Sequence, residues 1–110
     1  MHFFDPHDTM LITFKNAREE KFYSCEKDLT LKYNIRMARK ICQRLNELTA
    51  AETPQQLPRN ARFHEHQGNR KGFFSIDLIH PFRLIVRPTC CYASWVEIVS
   101  LEVYEVIDPH

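Results

Sequence analysis

The sequence predicts an α+β domain in which an N-terminal strand and a two-helix hairpin precede an antiparallel sheet packed against the helices. Three observations predict it. The run MLITF from Met10 to Phe14 is short, β-branched and aromatic, as a strand is. Between residues 17 and 48 the apolar residues recur three and four apart, the period of a helix. Beyond Pro58 the period falls to two, the alternation of half-buried strands.

Taken in order, the first helix is expected over residues 17–33, where Phe22, Cys25 and Leu29 form an apolar stripe among charged neighbours. Asn34 is a residue that starts or breaks helices, and a second helix follows it. There Ile35, Ala38, Ile41, Cys42, Leu45 and Leu48 share one side. Arg36, Arg39, Lys40, Gln43, Arg44, Asn46 and Glu47 fill the other. Pro54 and Pro58 end the hairpin, because proline cannot continue a helix. In the strands that follow, Phe63 lies opposite Arg62, His64 and His66. Phe74, Ile76 and Leu78 share a face, and so do Phe82, Leu84 and Val86, with Arg83 and Arg87 turned the other way. His80-Pro81 turns the chain, and WVEIVSLEVYEVI supplies a long last strand.

A chain of 110 residues has room for one core, so residues 10–110 are expected to form a single domain with residues 1–9 as an N-terminal extension. Only 2 Gly argue against flexible linkers. No segment approaches the roughly 18 apolar residues of a membrane span, and MHFFDPHD is not a basic, apolar leader. Cys25, Cys42, Cys90 and Cys91 have neither zinc-ligand spacing nor the density of a disulfide scaffold. A soluble cytoplasmic protein with reduced thiols is expected, with no membrane partner.

A net charge of +1 makes no case for a polyanion, but the distribution of charge does. Arg59, Arg62, Arg70, Lys71, Arg83 and Arg87 stand against Glu65 and Asp77, whereas the chain after Arg87 carries only acidic charges. If the helices cover the apolar sheet face, Arg83 and Arg87 look outward, with His64 and His66 beside them. Arginine presents a planar fork to phosphate oxygens, and histidine exchanges protons near neutrality. The loop from Gln67 to Lys71 would project Arg70 and Lys71 from a turn at the edge of this patch. Asp108 and His110 fall two apart at the end of the chain, where they could jointly serve proton transfer. Two histidines in His64-Glu65-His66 without a third ligand make a poor zinc site, so neither metal nor cofactor is expected.

His64, Gly68, Arg70, Gly72, Ser75-Ile76, Pro81-Phe82-Arg83-Leu84-Ile85 and the terminal Asp108-Pro109-His110 together resemble the RelE/ParE superfamily of bacterial toxins, most of all its HigB-type members. These include proteins labelled plasmid maintenance system killer or killer suppression proteins. The likeness runs from about Met10 to His110, with TFKNAREEKF similar to the family's opening strand and first helix. It implies a RelE-like microbial RNase fold and the toxin of a type II toxin-antitoxin system. The implied activity is that of a ribosome-dependent mRNA endoribonuclease, or mRNA interferase, that blocks translation. A cognate antitoxin, a small helix-turn-helix DNA-binding protein, would hold it inactive. By position, His64, Asp108 and His110 are the acid/base candidates and Arg83 the transition-state clamp; Arg62, His66, Gln67, Arg70, Lys71 and Arg87 are the RNA-contacting set.

Gln67 stands where many relatives carry Lys, which removes a phosphate-binding charge, and Pro109 stands where they carry Tyr, which removes a ring able to stack on a base. Two other readings share the fold. One is a non-enzymatic gyrase inhibitor of the ParE kind, which generally lacks acid/base residues at the patch. The other is a degenerate member that binds antitoxin or RNA without cutting.

Overall fold

The structure, a computed structural model, describes residues 9–66 and 71–108. Its elements in chain order are β1 (Leu11–Phe14), α1 (Ala17–Tyr23), α2 (Glu26–Lys32), α3 (Ile35–Ala50), β2 (His64–Glu65), β3 (Phe74–Asp77), β4 (Arg83–Pro88) and β5 (Ser100–Ile107), with short 3-10 turns at Pro54–Gln56, Arg59–Ala61 and Trp95–Glu97. An α+β domain is what the alternation of periods predicts. Met10, where the sequence reading began the domain, is buried, and its N–H donates to the Ala51 carbonyl at 2.8 Å. The proposed extension, residues 1–9, lies outside the described residues except for Thr9.

α3 begins where Asn34 says it should. The Asn34 side chain accepts a hydrogen bond from the Met37 N–H at 2.8 Å, satisfying one of the donors that a helix leaves unpaired at its start. Asn16 does the same for α1, accepting from Glu19 N–H at 2.9 Å. Replacing Asn34 by alanine is expected to cost about 1 kcal/mol in a urea melt, and Asn34→Asp to cost much less, because aspartate caps equally well.

The single first helix expected over residues 17–33 is two helices. The Ser24 hydroxyl donates to the Glu20 carbonyl at 2.7 Å and Cys25 is extended, which ends α1 and starts α2. Packing explains the break. Tyr23 and Leu29 are both buried, yet six residues of continuous helix would place them about 120° apart. Breaking the helix between them lets both reach the core.

The sheet is five-stranded in the order β1-β5-β4-β3-β2, and it is mixed rather than antiparallel: β1 runs parallel to β5, with Leu11 opposite Ser100 and Phe14 opposite Val103, and the other pairs are antiparallel. Alternation within a strand records which side is buried and says nothing of which strand lies alongside or in which direction. The long last strand is shorter than expected. Residues Trp95–Glu97 form a 3-10 turn closed by the Glu97 N–H on the Ser94 carbonyl at 2.9 Å, and pairing starts only at Ser100. The strand expected from Arg62 shrinks to His64–Glu65 because Arg62 is left-handed, with φ 50 and ψ 55.

One face of the sheet packs on the helices. Ile76, Leu84, Val86, Leu101 and Val103 meet Leu29, Ile41 and Leu48 there, all fully buried. Two side assignments on α3 are corrected: Ile35, expected on the apolar side, is exposed, and Arg44, expected outward, is only 3% exposed. Its Nε donates to the Asp77 carbonyl at 2.9 Å, Nη2 to the Asn60 carbonyl at 3.1 Å and Nη1 to the Glu47 carboxylate at 2.8 Å. A buried charge survives when it is paired and hydrogen-bonded, as this one is.

Candidate functional site

Strand register assembles the face of the sheet turned away from the helices. In one row His64, Ser75, Ile85 and Glu105 are successive cross-strand partners. In the next, Asp77, Arg83 and Ile107 are partners. On the other side of the first row, Arg87 pairs with Glu102 and Glu102 with Thr13, while the His66 N–H donates to the Phe73 carbonyl at 2.8 Å. His64, Arg83 and Arg87 therefore share the outward face, as alternation predicted. A bulge opposite Ile85 and Val86 sets Tyr104 as the extra residue of β5, which keeps Glu105 and Ile107 on that face.

The chemistry of each side chain follows from what it touches. His64 Nδ1 lies 2.5 Å from the Arg62 carbonyl, and since a carbonyl can only accept, that nitrogen bears the proton. In the neutral ring Nε2 then offers its lone pair away from the backbone, the arrangement a general base needs. His66 Nδ1 shares a hydrogen bond with Ser75 Oγ at 2.8 Å; Ser75 is fully buried. The Arg87 guanidinium pairs with Glu102 at 2.9 Å and lies over the Phe73 ring at 5.8 Å. Phe73 meets Tyr104 edge-on at 4.9 Å, and the Lys15 ammonium sits 4.2 Å from the centre of the Tyr104 ring.

Arg83 lines a small cavity of about 90 Å³ with Arg62, Asp77 and His80 at the turn between β3 and β4. Arg62 reaches Asp77 at 3.5 Å, whereas among the described residues Arg83 makes no ion pair. Among the described arginines of this face, its guanidinium is thus the one available to an incoming anion without first leaving a carboxylate. His64 lies two strand spacings across and two residues along from Arg83, about 12 Å between Cα atoms. Side chains of their length can converge on one phosphodiester across that span.

Of the remaining predicted residues, Lys71 is exposed and Asp108 is exposed just past the end of β5, next to the Ile107 that pairs with Arg83. Gln67, Arg70, Pro109 and His110 lie outside the described residues. The face is not uniformly basic, because Asp77, Glu102 and Glu105 stand among its cations. Sequence reasoning missed Asp77, His80 and Lys15 as neighbours of the site; alternation with Phe74, Ile76 and Leu78 could have turned Asp77 outward, whereas no spacing places His80 or Lys15 there. Among the described residues no three His, Cys, Asp or Glu side chains are placed to hold a metal ion.

The four cysteines are free thiols. Burial acts to raise the Cys90 thiol, but hydrogen bonds from the Val99 backbone and from Ser100 outweigh it and leave the thiol below its ordinary range. No helix among the described residues is long and apolar enough to cross a membrane. Comparison of the chain with protein-family models, curated proteins and solved structures finds no match.

Proposed function

We propose that the chain is an mRNA-cleaving toxin of the RelE/HigB kind, acting on the ribosome in the cytoplasm and neutralised by a cognate antitoxin. The observation that carries this reading is the placement on one sheet face of His64, whose Nδ1 is held by the Arg62 carbonyl, and Arg83, which makes no ion pair among the described residues, about 12 Å apart by strand spacing. The ribose 2′-oxygen would attack the adjacent phosphorus while His64 takes its proton. The P–O5′ bond then breaks, and the departing oxygen receives a proton from the acidic pair that the family likeness assigns to Asp108 and His110. Arg83 holds the charge that accumulates on the phosphorane oxygens. Arg62, His66, Lys71 and Arg87 would position the strand, and the family likeness adds Gln67 and Arg70 to this set.

The test is primer extension on mRNA in a translating extract supplied with the purified chain. Discrete new 5′ ends that vanish when translation is blocked are the expected result; intact message at growth-arresting levels of the protein would overturn the reading. One observation favours a role that binds without cutting: Arg62 and Arg87 are already engaged by Asp77 and Glu102, which offsets part of their charge. That reading, and the gyrase-inhibitor reading with it, predicts growth arrest with full-length mRNA, and a supercoiling assay separates the two.

A further inference from the structure

An aromatic groove runs along the edge of the sheet at β2. Its volume is about 520 Å³, and Phe63, His64, Phe74, Tyr92 and Trp95 line it. Phe63 stacks on Phe74 with ring centres 4.7 Å apart and planes within 13°, and Trp95 lies tilted over Phe63 at 6.1 Å. Trp95 is 42% exposed, a costly position for the largest apolar side chain unless something covers it.

What surrounds the groove points to its occupant. On the far side of Trp95 a second, smaller recess holds Arg59 and Arg62. Arg62 in turn lines the cavity with His80 and Arg83. Trp95 thus lines both the groove and this recess, and Arg62 lines both the recess and the cavity, where its partner Asp77 offsets part of the charge beside Arg83. Glu65 at the rim would repel a phosphate from the groove itself, while its oxygens can accept from a base amino group. Glu97 does not line the groove, and its carboxylate is held by the Ala93 N–H at 3.2 Å. Rings for bases beside arginines for phosphates is the pattern of surfaces that hold single-stranded nucleic acid.

We propose that the Trp95 groove is a nucleobase subsite: an unpaired base of single-stranded RNA stacks on Trp95 and Phe63 while the flanking backbone follows Arg62 toward Arg83. The inference rests on the RNA-directed reading above and adds the element that holds the strand in place. Trp95 is the only tryptophan among the 110 residues, so its emission reports this groove alone. The full chain is titrated with a single-stranded hexaribonucleotide methylated at its 2′ oxygens, which binds without being cut.

Stacking is expected to quench the emission by about half or more and to saturate, while a duplex of the same sequence leaves it unchanged. Anisotropy of the labelled hexamer is expected to show Trp95→Ala binding about tenfold more weakly, with Trp95→Phe close to wild type. Hexamer binding with unmoved emission and unchanged affinity in Trp95→Ala would overturn the base subsite and leave the cleavage reading standing. Equal quenching by the duplex, or quenching by an apolar nonapeptide and not by RNA, would also overturn it. The translating extract decides cleavage independently of all three results.

Discussion

On the proposed function, alanine at His64 is expected to reduce mRNA cleavage in a translating extract by about 100-fold or more, the usual worth of a positioned proton-transfer group. The same primer-extension signal is expected to fall by about 100- to 1,000-fold in Arg83→Ala, because Arg62 and Arg87, the other described arginines of this face, are engaged by Asp77 and Glu102 and could not replace the proposed clamp. Neither change should unfold the protein. Both side chains lie on the outward face, only partly buried, and neither belongs to the core. Thermal melts matching wild type would show the losses to be chemical. Arg83→Lys separates charge from shape: lysine keeps the positive charge but loses the planar fork, so recovery of only a small part of the activity is expected. Full cleavage by His64→Ala would remove His64 from the chemistry and return the question to Asp108 and His110.

The largest loss of stability is expected at Arg44. Its guanidinium is buried and joins three parts of the chain: Glu47 on α3, the carbonyl of Asn60 in the turn before β2, and the carbonyl of Asp77 at the end of β3. Arg44→Ala leaves two backbone carbonyls and a carboxylate without their donor and opens a cavity, at a cost of about 3 to 5 kcal/mol. In a domain of this size that corresponds to a fall in melting temperature of more than about 10 °C. Arg44→Met fills much of the volume without restoring the donors and is expected to fall between wild type and alanine. The position also bears on the site. Asp77 accepts from Arg62 and lies opposite Arg83, so loosening its backbone would shift the cavity that those arginines line. An unchanged melting temperature in Arg44→Ala would show that water replaces all three donors.

Local chemistry made much of the fold legible. Asn34 starts α3 because a side-chain carbonyl two to three residues before an unpaired N–H is a short-range device, readable from neighbouring letters. Phe74, Ile76, Leu78, Leu84 and Val86 are buried as alternation requires, and Arg83 and Arg87 face the other way for the same reason. The basic and imidazole character of the outward face follows directly from that parity. Errors arose where the same letters fit two structures. Charges flank apolar residues on both sides of position 24, so the stripe passed for one helix until Ser24 and the packing of Tyr23 and Leu29 decided for two. Trp95 and Val99 read as strand, yet the Ser94 carbonyl closes a 3-10 turn there and places the indole beside Phe63.

The sequence by itself determined the class of the domain, the start of its main helix, the inward and outward parity of its strands and the residue types offered to a ligand. These depend on contacts a few residues apart, and a periodic pattern records them. Only the tertiary structure decided that β1 lies parallel to β5, that Arg44 is interior, that Asp77 and His80 sit with Arg62 and Arg83 around one cavity, and that Trp95 crowns an aromatic groove beside His64. Each of these joins residues far apart in the chain. Which distant partners meet is set by the register and closure of the whole sheet, a property that no local pattern of letters contains.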